Sequence, residues 1–403
     1  MIELVDAGAP LALLPRLRRA LGGDAPLHPY AGTRPVLPPA DHARLPRGLA
    51  LVIGTSGSTG DPKLALHTAD GLRASAAATA QKLGGHGQWL LALPAAHIAG
   101  VQVLVRSVLA DTVPVVVDRS GGFTAGAFAA ATAALGTGPA YTSLVPTQVV
   151  RLLADPDGAA ALRRFTAVLV GGSALPHGLR ERATANEVRL VATYGMSESA
   201  GGCVYDGRPL PGLSLALGVD ARIHLGGPCV AHGYLARPEA SARAFATRAP
   251  QQSAHRWDSP DPLPQDPTPA GNEPAGKHTW WFTTDDVGEV TPDGRLHVLG
   301  RVDDIISTGG LKVHPRIVEE AVLAAYPGLT AAVAVGIPDP QWGQLVALAL
   351  VGGDHLNERA LRDQLRGRLP AYALPRRIRH TDVLPERGPG KPDRRAIAEW
   401  MGH

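Results

Sequence analysis

From Leu49 onward, short apolar runs alternate with longer stretches whose apolar residues recur at helical spacing. Leu49–Ile53, Trp89–Leu93 and Pro114–Val117 read as strands, with Ala69–Leu83 and Val101–Leu109 as helices between them. The same rhythm returns in Ala167–Val170, Leu179–Ala185 and Val188–Thr193. Strands alternating with helices predict an α/β fold, a large N-terminal domain of sheets covered by helices. No fixed-period repeat interrupts it.

Between Thr247 and His278 the pattern gives way to proline, glutamine, aspartate and glycine, with Pro260, Pro262, Pro264, Pro267 and Pro269 crowded together. A segment so poor in apolar side chains lacks the surface to offset its ordering entropy, and residues 247–278 are expected to be a disordered insertion. Beyond it, Gly288–Gly300 reads as a hairpin turning at Asp293-Gly294. Helices over Ile317–Ala325 and Glu358–Arg368 and strands over Ala331–Val335 and Leu345–Val351 then predict a small, mobile α+β C-terminal domain, residues 303–403.

Composition narrows the function. The chain has 403 residues, 45% of them hydrophobic, enough for more than one core. Its 39 basic and 36 acidic side chains nearly cancel, and no basic stripe offers a path for a nucleic-acid backbone. Cys203 and Cys229 sit in no metal-ligand or redox spacing. No apolar run approaches the roughly 20 residues of a membrane span, so a cytoplasmic protein is expected; a homodimer stays open. Lysine is scarce, with Lys63, Lys82, Lys277, Lys312 and Lys391 the whole set; codon bias accounts for the scarcity, and each lysine is worth inspecting because a compact ammonium does what a guanidinium fork does not.

The strongest chemical signal is Thr55-Ser56-Gly57-Ser58-Thr59-Gly60-Asp61-Pro62-Lys63, directly after the first strand. Glycines let the backbone turn its N–H groups inward, hydroxyls add donors and a lysine closes the ring, which is a cradle for a polyphosphate. It is not the Walker form, because Lys63 follows proline and no Ser or Thr follows it.

This string resembles the phosphate loop of the adenylate-forming superfamily, which includes acyl-CoA synthetases, nonribosomal-peptide adenylation domains and luciferases. Further motifs stand in that superfamily's order: Gly171-Gly172-Ser173-Ala174, Thr193-Tyr194-Gly195-Met196-Ser197-Glu198, Trp281-Phe282-Thr283-Thr284-Asp285-Asp286, Gly300-Arg301-Val302-Asp303-Asp304 and Gly388-Pro389-Gly390-Lys391. The resemblance implies ATP, Mg2+ and coenzyme A as partners of a small-molecule carboxylate. It implies Tyr194 against the adenine, with Gly172, Ser173 and Thr193 beside the base, and Glu198 with Thr59 at the Mg2+. Asp286 would hold the ribose hydroxyls and Arg301 the nucleotide. The family usually has glycine where this chain has Asp285, and the register from Trp281 favours Asp286. Lys391 would enter the site during adenylation, Asp303 would be the hinge, and Gly309 and Gly310 would line the pantetheine path.

The stretch Leu93–Ser107 resembles the o-succinylbenzoate–CoA ligases of menaquinone biosynthesis, above all the short actinobacterial type. That resemblance puts His97 and Gly195 beside the acyl group and makes Arg106 the candidate for a second carboxylate, since a guanidinium pairs bidentately with one. Nine helical steps of about 100° are half a turn out of phase. His97 and Arg106 therefore share a site only if His97 sits in a loop before a helix over Val101–Leu109, as Pro94 and Gly100 allow. Ser143–Thr147 resembles another pocket-lining segment. Other aryl- or acyl-CoA ligases, a stand-alone adenylation enzyme serving a carrier protein, and a catalytically silent nucleotide-binding module are the alternatives.

Overall fold

The computed structural model describes residues 1–39, 41, 44–55, 63–176, 178–248, 253–258, 280–352, 356–388 and 391–402; the side chains of 253–256, 258, 387, 388 and 391 lie outside that description. The chain forms two compact units. The first gathers residues 1–172, 183–219 and 223–284; the second gathers 173–182, 220–222 and 285–403.

In the first unit, β1 (Glu3–Asp6), β2 (Leu27–Tyr30), β3 (Leu49–Gly54) and β4 (Leu64–Thr68) make one sheet in that order, with β3 and β4 antiparallel. A second sheet contains β5 (Gln88–Leu91), β6 (Val115–Val116), β7 (Ala140–Leu144), β8 (Ala167–Val170), β9 (Leu190–Met196), β10 (Gly201–Tyr205) and β11 (Arg208–Pro209), ordered β11-β10-β9-β8-β7-β5-β6. From β6 to β9 its strands run parallel, and every residue of β7 and β8 is buried. Parallel strands read as unbroken apolar runs because both faces are covered.

Helices α1 (Leu14–Leu21), α2 (Ala69–Leu83) and α3 (Ile98–Leu109) pack on these sheets. The bounds of α2 follow from its ends: Thr68 Oγ1 accepts from the Gly71 amide at 3.1 Å, and Gly84 closes it in the left-handed conformation, φ 94°. The start of α3 lies at Ile98, earlier than the sequence pattern indicated. Gly100 is the reason, since a Cβ there would stand 2.1 Å from the Pro94 carbonyl oxygen. Only glycine lets the first turn lie on that loop.

A third sheet contains β12 (Ser214–Gly218), β13 (Arg222–Gly226), β14 (Phe245–Ala246), β15 (Ser253–Asp258) and β16 (Trp281–Val290), with β17 (Leu296–Arg301) hairpinned on β16. Strand β15 corrects the expectation for residues 247–278: Ser253–Asp258 pairs antiparallel with β12, Leu215 opposite Trp257 and Leu217 opposite His255. An edge strand is held by main-chain hydrogen bonds, which do not depend on the apolar content that composition measures. Residues 249–252 and 259–279 lie outside the described residues.

The chain passes into the second unit within β16, after Thr284. The hairpin at Gly294, φ 74°, thus groups with the C-terminal residues, ahead of the expected joint at Asp303. Beyond it, β18 (Ile306–Thr308), β19 (Leu311–Val313), β20 (Leu329–Asp339), β21 (Gly343–Gly352) and β22 (Arg377–His380) form a sheet ordered β19-β18-β21-β20, with β22 parallel to β21. Alternation sorts its side chains. Ala332, Ala334, Val346, Leu348 and Leu350 join a core with Val318, Val322, Leu361 and Leu365, while Val333, Val335, Ala347 and Ala349 pack with Ile397 and Met401.

Candidate active site

The hairpin β3–β4 presents the phosphate-loop segment. Thr55 donates its amide to the Lys63 carbonyl at 2.8 Å, so the two ends of the segment are tied together; Ser56, Gly57, Ser58, Thr59 and Gly60 lie outside the described residues. Residues 232–235 run along β4 as a strap, with Leu66 N donating to Gly233 O at 3.0 Å and Leu235 N to Leu64 O at 2.8 Å. The strap carries Tyr234. Its hydroxyl donates to Glu198 Oε1 at 2.8 Å, and the Lys63 ammonium stands over its ring at 5.0 Å from the centroid.

Glu198 is buried, 8% exposed, in the turn Ser197–Ser199 that follows β9. Three connections hold that turn. Ser197 Oγ donates to Gly54 O at 2.8 Å, Ala231 N donates to Glu198 O at 2.8 Å, and His67 Nε2 stands 2.6 Å from Ser197 O. Burial pushes the His67 imidazole down to about 4, the Ser197 bond opposes this and the nearby His232 adds to it. His232, itself lowered by burial, packs its ring on Trp280 at 5.1 Å.

Other expected residues gather at the carboxyl ends of the parallel strands, where open α/β sheets place their ligand sites. His97 is exposed in the loop after β5 and precedes α3 as expected, φ −107° and ψ 153°. Gly172, φ 87°, follows β8. Thr193, Tyr194 and Gly195 lie half-buried in β9, which runs past the expected Thr193 to Met196 because β10 folds back upon it, Gly201 opposite Met196. Glycine is obligatory here: a Cβ on Gly171 would stand 2.4 Å from Thr193 Oγ1, and one on Gly195 would stand 2.0 Å from Gly201 O.

Arg106 keeps different company. It is 6% exposed on α3, its guanidinium lies over the Trp89 ring at 4.8 Å, and its Nε has no hydrogen-bond partner among the described residues. Burial lowers its pKa, opposed by the Tyr205 hydroxyl. Neither Trp89 nor Tyr205 is among the groups that meet around Glu198. The structure sets Arg106 in the core between α3 and its sheet, and does not join it to His97.

In the second unit, Ser173 is half-buried after Gly172. Asp286 lies opposite Arg301 across the hairpin, yet the Arg301 guanidinium donates to the neighbouring Asp285 at 3.1 Å. Asp303 is exposed in the turn Val302–Asp304. Gly309 and Gly310, φ 57° and 77°, make the two-residue turn between β18 and β19. Both positive angles suit a tight hairpin, and Trp342 fills the space a Gly309 Cβ would need, 2.8 Å away. Lys391 pairs its backbone with Gly388, and its side chain lies outside the described residues.

Among the described residues no three His, Cys, Asp or Glu groups meet as a metal site. One buried carboxylate and one lysine against the same tyrosine are instead the donor set suited to Mg2+ carried on a polyphosphate, which binds through one or two carboxylates and phosphate oxygens. His67, Tyr234 and His232 escaped the sequence reading. Gly233, φ 121°, before Tyr234 is the one local signal there of a constrained backbone, and nothing in the pattern ties it to Glu198.

The comparisons agree with this architecture. Residues 17–235 match the AMP-binding enzyme family and residues 319–391 match the AMP-binding enzyme C-terminal domain. A protein of Mycobacterium tuberculosis named "probable 2-succinylbenzoate–CoA ligase" is 42% identical over 409 residues, 98% of this chain and 96% of the relative. The 2-succinylbenzoate–CoA ligase of Geobacillus kaustophilus is 30% identical over 98% of this chain and 79% of its own length. Among solved structures, o-succinylbenzoate CoA synthetase from Bacillus subtilis, in complex with the acyl-adenylate intermediate, superposes with a TM-score of 0.68 at 24% identity, covering 87% of this chain and 69% of that one. It is similar in fold. With its strand-end glycines and its Lys63–Tyr234–Glu198 cluster, the chain belongs to the AMP-binding enzyme family, the adenylate-forming enzymes.

Proposed function

We propose that this enzyme is an o-succinylbenzoate–CoA ligase. The observation that carries the reading is 42% identity to a relative of that name across 98% of this chain. A carboxylate oxygen of the substrate attacks the α-phosphorus of ATP, the P–O bond to the β-phosphate breaks and pyrophosphate leaves. The thiol of coenzyme A then attacks the acyl carbon, its proton passes to solvent and AMP departs. Only the succinyl carboxylate is activated.

The residues divide this work. Lys63 and the loop from Thr55 hold the phosphates, and Glu198 would hold Mg2+, which supplies charge neutralisation on the triphosphate. Tyr194 faces the adenine, a contact of about 1–3 kcal/mol, with Gly172, Ser173 and Thr193 beside it. Asp286 is assigned the ribose and Arg301 the nucleotide. Lys391 pairs with charge developing at the α-phosphate, an interaction made in the transition state and hence one that raises kcat. His97 and Gly195 border the acyl group. Asp303 serves as the hinge, and the turn of Gly309 and Gly310 borders the pantetheine path. Arg106 supports the fold of α3 in this reading and does not touch the acid.

A panel of acids tests it, assayed for pyrophosphate and AMP with and without coenzyme A. O-succinylbenzoate should release pyrophosphate alone and form the thioester when coenzyme A is added. Turnover of benzoate or a fatty acid in its place would overturn the substrate assignment and leave the adenylating chemistry standing. Release of neither product from any acid would mark a silent nucleotide-binding module.

A further inference from the structure

We propose that His67 is a positioning residue for adenylation, whose Nε2–H, donated to the Ser197 carbonyl, fixes the turn that presents Glu198 to the nucleotide. The inference rests on the assignment of Glu198 under the proposed function and adds a residue to it. His67 lies on β4 and is 1% exposed. Its Nε2 is 2.6 Å from Ser197 O. A carbonyl oxygen has no proton to give, so Nε2 carries the hydrogen and Nδ1 is left with its lone pair. Nδ1 is buried with no hydrogen-bond partner among the described residues.

That orphan is informative. A buried polar atom without a partner destabilises a fold, and an apolar side chain at this buried position of β4 would avoid the cost. The imidazole is therefore retained for its other nitrogen. The bond it makes spans the two parts of the site: β3 and β4 carry the phosphate-loop segment between Gly54 and Leu64, and the Ser197–Ser199 turn carries the carboxylate. Ser197 Oγ reaches Gly54 O from the same turn, 2.8 Å, so hairpin and turn are laced at both limbs of the loop. Ala200, φ 54°, leaves the turn in a conformation disfavoured for a side chain, which requires support from its surroundings. Without the His67 donor, Glu198 would lose its register against Lys63 while both groups remained present.

The test compares His67→Leu, which removes the donor, with His67→Gln, which keeps an N–H at similar reach. In His67→Leu, pyrophosphate release should fall about tenfold to a hundredfold, the scale of a misplaced catalytic group. The Mg2+ concentration for half-activation should rise, while calorimetric affinity for metal-free ATP should stay within about twofold of wild type. His67→Gln should recover most of the rate. In the wild-type protein, nitrogen NMR should show the His67 ring, identified by the signals missing in His67→Gln, neutral and protonated at Nε2 at pH 7. Equal losses in both variants, wild-type rates in both, loss of metal-free ATP affinity in His67→Leu, or an Nδ1–H tautomer would each overturn the proposal. Glu198→Gln separates it from the reading beneath it. If Glu198→Gln adenylates normally, the Glu198 assignment fails; if it is inactive while His67→Leu is not, only the role of His67 fails.

Discussion

Replacing Arg106 tests whether a buried cation on α3 is held by the fold or by the substrate. Its guanidinium is 6% exposed, lies 4.8 Å from the Trp89 centroid and leaves Nε unpartnered among the described residues. Arg106→Met keeps a long unbranched side chain and removes the charge. It forfeits a desolvated cation–π contact of about 2 kcal/mol and the attraction of the nearby Tyr205 hydroxyl, which works against the burial of the charge. Against this it removes the orphan nitrogen, about 1–3 kcal/mol, and the burial of the charge itself, a further cost of similar size or more. The Tyr205 hydroxyl keeps Thr79 Oγ1 at 3.2 Å as a partner. These effects nearly cancel, and the variant should unfold within about 1 kcal/mol of wild type. Arg106→Ala instead leaves a cavity and should cost about 2–5 kcal/mol. Urea unfolding measures both, and kcat/KM for o-succinylbenzoate and for the analogue lacking the ring carboxylate completes the assay. Arg106→Met should lower the two efficiencies in equal proportion. A selective loss of tenfold or more on the dicarboxylate would show that the guanidinium reads the substrate, and a Met variant as unstable as the Ala variant would show that the charge itself holds the core.

Lys391→Ala should reduce adenylation by a hundredfold or more, since a transition-state cation is typically worth several kcal/mol, yet spare thioester formation from supplied acyl-adenylate; equal losses in both half-reactions would refute the assignment. Deleting residues 260–276 should leave the melting temperature near that of wild type, whereas deleting 251–276 also removes β15 from the edge of β12 and should lower it by several degrees; equal effects would show that the pairing of β15 contributes nothing. His67 supplies a pH dependence, because its folded-state pKa near 4 lies below the ordinary 6.5. The unfolded chain takes up the proton first as pH falls, so this contribution is whole above about 6.5 and is lost between there and about 4, about 3 kcal/mol in all. His67→Gln should show a correspondingly smaller loss of urea-unfolding stability between pH 7 and 5, and identical slopes would argue against a buried neutral imidazole.

Much of this protein is legible along the chain because its signals are local. Apolar runs bounded by turns placed β3, β8 and α2 with almost no error, since a strand buried on both faces and a helix capped by Thr68 and Gly84 are each specified by neighbouring residues. The phosphate loop, the glycines after β8, the Tyr194–Glu198 segment and the alternating faces of β20 and β21 are contiguous in the same way. Tertiary structure alone decided what lies between distant segments. Composition could not foresee that Ser253–Asp258 would complete a sheet edge, because strand pairing is a main-chain interaction with a partner far away in sequence. Helical phase could separate Arg106 from His97 but could not show which face the core would take, and it took Arg106. Tyr234 meets Glu198 across a span of 36 residues, and His67 meets Ser197 across 130; no periodicity encodes contacts of that length, because they arise from the sheets folding upon one another and not from the order of the residues within them.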